Sequence, residues 1–94
     1  MGERKRNGER SPVRALVPAE LMPGVPVIEL NGFDAVSVDG HRGIRHYSEE
    51  RIDIMTKEGV VMIEGNKLQL LQMDREKIMV KGNLVSIRLE RNGV

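Results

Sequence analysis

Val25-Pro26-Val27-Ile28-Glu29-Leu30-Asn31-Gly32-Phe33-Asp34-Ala35-Val36-Ser37-Val38-Asp39-Gly40 decides the fold class. Two short runs rich in branched aliphatic residues are each closed by a dipeptide that accepts positive φ. Asn31-Gly32 and Asp39-Gly40 are both two-residue hairpin signals. The reading is strand (Val25–Leu30), turn, strand (Phe33–Val38), turn. Phe33, directly after the first turn, reads as a core plug.

The same grammar continues to the end of the chain. His41–Tyr47 is a third strand, with Gly43 a candidate bulge, and Ser48-Glu49-Glu50 connects it onward. Arg51–Thr56 alternates, with Ile52 and Ile54 on one face and Arg51, Asp53 and Met55 on the other. Lys57-Glu58-Gly59 turns the chain. Val60–Glu64 is apolar on both faces and so belongs inside the sheet system. Gly65-Asn66 reads as a turn before Lys67–Met73. Asp74-Arg75-Glu76 connects to Lys77–Lys81, Gly82-Asn83 turns again, and Leu84–Glu90 puts Val85, Ile87 and Leu89 on one face. The prediction is all-β, about eight short strands in an antiparallel roll or sandwich built from hairpins. A repeat complicates this. Met62-Ile63-Glu64-Gly65-Asn66 returns as Met79-Val80-Lys81-Gly82-Asn83, so a short β-solenoid is the alternative. The clean Asn-Gly and Asp-Gly turns favour hairpins.

Upstream of the strands the character changes. Residues 1–14 are polar and read as a disordered tail. Arg4, Lys5, Arg6, Arg10 and Arg14 there face only Glu3 and Glu9, whereas the whole chain has a net charge of only +1. The tail is either a solvated arm or a contact for an anionic surface. Residues 15–24 form a linker with room for one helical turn, bounded by Pro18 and Pro23-Gly24. Leu16, Leu21 and Met22 are available to cover one end of a core. The β domain covers residues 25–90, and residues 91–94 are a frayed end.

Composition excludes several kinds of chemistry. The chain has 94 residues, enough for one domain, and no Cys, which removes disulfides, thiolate metal sites and Cys nucleophiles. Phe33 and Tyr47 are the only aromatics, so a stacking platform for single-stranded nucleic acid is missing. His41 and His46 are five apart, an odd spacing that separates two ligands on one strand. Ser37, Ser48 and Ser86 stand in no nucleophile motif, and no phosphate-binding glycine loop occurs. No apolar run reaches the length of a membrane helix, and no signal peptide pattern is present. The expectation is a non-enzymatic cytoplasmic protein with no cofactor, no metal and no small-molecule substrate, for which nucleic acid is disfavoured. A small open β system must shield or pair its edges, so a homo-oligomer is expected.

The most unusual segment is Gly40-His41-Arg42-Gly43-Ile44-Arg45-His46-Tyr47. It is either an edge strand protected by charge or a protein-contact strip, with His41, Arg42, Arg45 and Tyr47 as contacts. Here a resemblance enters. His41-Arg42-Gly43-Ile44, then Tyr47-Ser48, Arg51-Ile52-Asp53-Ile54 and Gly59, resemble the central motif of the YabP/YqfC family of bacterial sporulation proteins. Gly65-x-x-Leu68-x-Leu70, Glu76-Lys77-Ile78, Val80-x-Gly82 and Ser86-Ile87-Arg88-Leu89-Glu90 are similar to its continuation. Leu21 and Pro26-Val27-Ile28-Glu29-Leu30-Asn31-Gly32 look like the opening of the YqfC type. Leu89 stands where an aromatic is expected, and the basic tail is longer than the pattern requires. The resemblance implies an assembly or adaptor protein of the mother cell, with a YqfD-type membrane-anchored partner or a part in coat or cortex assembly. It supplies no catalytic residue. The alternatives are an anionic-surface binder using the basic tail, and a self-polymerising bactofilin-like scaffold.

Overall fold

The computed structural model describes residues 25–93, so the expectations for residues 1–24 lie outside the described part. Six strands form one open antiparallel sheet. They are β1 (Val27–Asn31), β2 (Ala35–Asp39), β3 (His41–Tyr47), β4 (Arg51–Thr56), β5 (Gly59–Met73) and β6 (Lys77–Arg91), in the spatial order β1-β2-β6-β5-β4-β3. The all-β expectation holds. Every pairing is antiparallel, which removes the solenoid, since stacked coils pair in parallel.

The expected count of eight strands falls to six because Gly65-Asn66 and Gly82-Asn83 are not turns. They lie in the middle of two 15-residue strands, where Asn66 faces Asn83 across the β5–β6 ladder. The register slips at Glu64/Gly65 and again at Asn66/Gln69, and the long hairpin bends there. A bulge uses positive φ as a turn does: here it falls on Gly82 in β6 and on Lys67 (φ 56°), not Gly65, in β5. A Cβ on Gly65 would collide with the Asn83 carbonyl oxygen, and one on Gly82 (φ +147°) would meet the Lys67 oxygen at 2.8 Å. The bend frees backbone N–H groups, which must find partners. Gly65 and Leu68 donate to Glu50 and Glu49 in the β3–β4 loop, at 3.0 and 2.8 Å. Gly82 and Leu84 donate to Asp34 and Phe33 in the β1–β2 loop, both at 3.0 Å.

The bend brings two half-sheets face to face. One holds β1, β2 and the near ends of the long hairpin; the other holds β3, β4 and the far ends. Val36, Val38, Ile52, Ile54, Val61, Ile63, Leu68, Ile78 and Val80 fill the space between and are buried. Burying each such side chain contributes about 1.5–3 kcal/mol. Val60–Glu64 is interior, as its two-sided apolar pattern indicates: it pairs with β4 on one side and β6 on the other.

Two further expectations are corrected. Phe33 is 84% exposed. The β1–β2 ladder closes at Asn31 and Ala35, so Phe33 is the apex of a three-residue loop with no strand opposite it. Asp39-Gly40 does not close a hairpin either. β2 pairs with β6 and β3 with β4, so the chain crosses at Gly40 from one half-sheet to the other. The Gly40 and His41 amides meet the Glu76 oxygen at 2.6 and 3.3 Å, fixing the crossing to the β5–β6 loop.

Candidate protein-contact site

β3 is an edge strand whose ladder with β4 slips twice, between His41 and Ile44 and between Ile44 and His46. Gly43 (φ +109°) lies in the first slip. Bulges and charge blunt an edge against further pairing, and they also break the alternation of side chains. The residues of this segment therefore point in several directions.

His41 is turned to the β5–β6 loop. Its Nδ1 accepts from the Gly43 N–H at 2.9 Å, and its Nε2 lies 2.7 Å from the Asp74 carbonyl oxygen. With Nδ1 accepting, Nε2 carries the proton and donates. Asp74 in turn caps that loop, its Oδ1 accepting from Glu76 N and Lys77 N at 2.9 and 2.8 Å. Those amides hold its carboxyl below the ordinary carboxylate range. Arg42 is exposed on the strand. Tyr47, opposite Ile52 and half exposed, sits at the rim of the core face.

Arg45 takes part in a cluster on the outer face. Across the four strands of this half-sheet runs the row His46, Asp53, Met62, Arg88. Asp53 is only 1% exposed although the face is open to solvent, because arginines lie over it. Arg51 grips it with both ends of its fork, Nε to Oδ1 at 2.9 Å and Nη2 to Oδ2 at 2.8 Å. Arg45 adds Nη2 to Oδ2 at 3.4 Å. The Arg51 hydrogen bond holds the Asp53 carboxyl below its ordinary range, against the opposing effect of burial. Beside them Arg88 Nη2 meets Met62 Sδ at 3.7 Å, and Ser86 Oγ donates to Glu64 Oε1 at 2.9 Å. The two arginines over Asp53 stay 47% and 41% exposed. Asp53 thus orients both guanidinium groups while leaving them partly in solvent.

Sequence reasoning put Arg51 and Asp53 on one face but did not single out Asp53. The signal was present: an Arg and an Asp two apart on a strand share a face. The structure brings Arg45 and Arg51 together over Asp53, and it separates His41 and Tyr47 from them. Arg4, Lys5, Arg6, Arg10 and Arg14 lie outside the described residues. Of the expected turn residues, Asn31 ends β1 and Gly32 opens the β1–β2 loop, Asp39 ends β2 with Gly40 at the crossing, and Gly59 opens β5.

The half-sheets do not close completely. An open cleft of about 210 Å³ lies between the start of β1 and the far end of the β5–β6 ladder. Pro26, Ile28, Val61 and Leu89 give it apolar walls, and Glu58 and Arg91 are among its charged lining. Among the described residues no group of three His, Asp or Glu side chains is placed to hold a metal ion, and no helix is long and apolar enough to cross a membrane.

The model of the YabP family matches residues 25–94. Among curated proteins, the chain is 29% identical over 89 residues to the uncharacterized protein YqfC of Bacillus subtilis (strain 168). That alignment covers 94% of this chain and 96% of the relative. No solved structure matches.

Proposed function

Since the chain belongs to the YabP family, we propose that it is a non-enzymatic assembly or adaptor module of sporulation that works by protein–protein contact. The observation that carries this reading is the pair Arg45 and Arg51, held by a buried Asp53 on an exposed sheet face. Arg and Tyr are the residues that most often anchor interfaces. Holding them in place before binding reduces the ordering cost of association. A cationic fork of this kind suits an acidic strand or loop of a partner. The resemblance to the YqfC type suggests a YqfD-type membrane-anchored protein as that partner and the mother cell as the compartment. Self-association belongs to the same reading, because the sheet remains open at its edges.

The test is affinity purification of the tagged full chain from sporulating cells, beside the variant Arg45→Gln/Arg51→Gln. The expected result is a YqfD-type protein recovered with the wild type and lost with the variant. Equal recovery with both, or no protein that distinguishes them, overturns the reading. A second reading rests on the basic residues 4–14. It expects binding to anionic vesicles or nucleic acid that falls steeply with salt and disappears when residues 1–14 are deleted.

A further inference from the structure

The bend gives the sheet more free edges than its strand order suggests. Beyond it, among the described residues, the far half of β6 pairs only with β5, from Ser86 opposite Glu64 to Arg91 opposite Gly59. This edge is regular over those residues, whereas the edge of β3 carries two bulges and the Gln69–Met73 edge of β5 carries one. The direction of its backbone groups follows from one bond. Asn92 N donates to Glu58 O at 2.9 Å, so in the alternating ladder Ser86, Arg88 and Glu90 also turn their amides toward β5. The amides and carbonyls of Ile87, Leu89 and Arg91 therefore face the open side. Along the same stretch Leu89 is 67% exposed and lines the cleft.

We propose that this edge pairs antiparallel with the same edge of a second copy, about a two-fold axis at Leu89. The register follows from charge. Antiparallel partners share a face, so the axis must pass through a residue rather than between two. Centred on Leu89, the pairing sets Leu89 against the second copy's Leu89 on the core side. On the outer side it sets Arg88 against the second copy's Glu90, twice by symmetry. Arg88 and Glu90 then occupy a non-hydrogen-bonded pair, where side chains approach most closely. Centring on Arg88 would oppose two arginines, and centring on Ile87 would leave Glu90 opposite Leu84. β1 offers no equivalent. Its five residues carry one charge, Glu29, at the middle, and self-pairing there would oppose two carboxylates. The dimer would join the two far half-sheets into one continuous eight-stranded sheet. This inference rests on the self-association part of the proposed function and is independent of the Arg45 and Arg51 site, which lies across the half-sheet on β3 and β4.

Sedimentation velocity of the full chain over a concentration series tests it. The wild type is expected to dimerise, and Leu89→Pro to be monomeric with an unchanged far-ultraviolet spectrum. Proline there removes an amide that faces outward, as edge strands tolerate. Arg88→Glu and Glu90→Arg each create two like-charge pairs and should weaken dimerisation by about tenfold. The double variant Arg88→Glu/Glu90→Arg should restore it. The charge variants decide the matter even if Leu89→Pro fails to fold. A monomeric wild type overturns the proposal, as does a dimer indifferent to these substitutions. A monomer whose Leu89 amide is nevertheless protected from hydrogen exchange would assign the edge to the chain's own N-terminal residues, and also overturns it.

Discussion

Asp53 shows how much one side chain can organise. A carboxylate on an exposed sheet face is ordinarily solvated, yet here two guanidinium groups cover it. Its carboxyl is held below the ordinary value in the folded chain. The stability this contributes is present in full above the ordinary range, near pH 4. It is lost as pH falls through the lower folded value, where the folded state must take up the proton. Asp53→Asn should therefore destabilise the fold by about 1–3 kcal/mol at neutral pH. The lower end is expected, because both arginines are nearly half in solvent. The gap from wild type should narrow below pH 4, read by urea denaturation across pH. At this scale the sequence was partly legible: alternation placed Arg51 and Asp53 together on one face. It could not reveal that Arg45, from a bulged neighbouring strand, would complete the cover, since a bulge resets which face a residue takes.

Among the elements, the bent β5–β6 hairpin governs the fold. Its glycines are needed for different reasons from those in loops. Gly65→Ala would press a methyl group into the Asn83 backbone, at a cost of about 1–3 kcal/mol or more. At Gly32 an added Cβ meets nothing within 4 Å, and only the positive φ opposes it, at about 1–2 kcal/mol. Chemical denaturation of the two variants should rank them in that order. Gly-Asn marks a place where the chain departs from a straight strand, and the sequence showed both such places. It did not show that they would lie opposite each other inside one ladder. That depends on pairing between residues distant in sequence, and a local signal carries no information about it. The same limit explains Phe33, whose exposure follows from the loop closing at Ala35.

In the whole molecule, the core is a thin aliphatic layer that the two half-sheets enclose on most sides. Ile63, fully buried at the centre, and Val85, 73% exposed at the bend, test this division. Ile63→Ala should cost about 2–5 kcal/mol, and Val85→Ala within about 0.5 kcal/mol, both read from the denaturant midpoint. The class of fold was legible at this scale, because short aliphatic runs with turn chemistry allow little else. The strand order was not. The crossing at Gly40 depends on β2 preferring β6 to β3, and that preference follows from the enclosed core rather than from either strand alone.

That crossing also bears on how the molecule is made. Among the described residues, β2 gains its second neighbour from residues 77–81, which are made long after it. During synthesis β3, β4 and the start of β5 can assemble as successive hairpins while β1 and β2 wait as an isolated pair, which is marginal in water. Contacts so far apart along the chain slow folding. Of the strands of this sheet, β6 leaves the ribosome after the other five and is the one that locks β1 and β2 in place, so until then Val36 and Val38 lack the neighbour that encloses them.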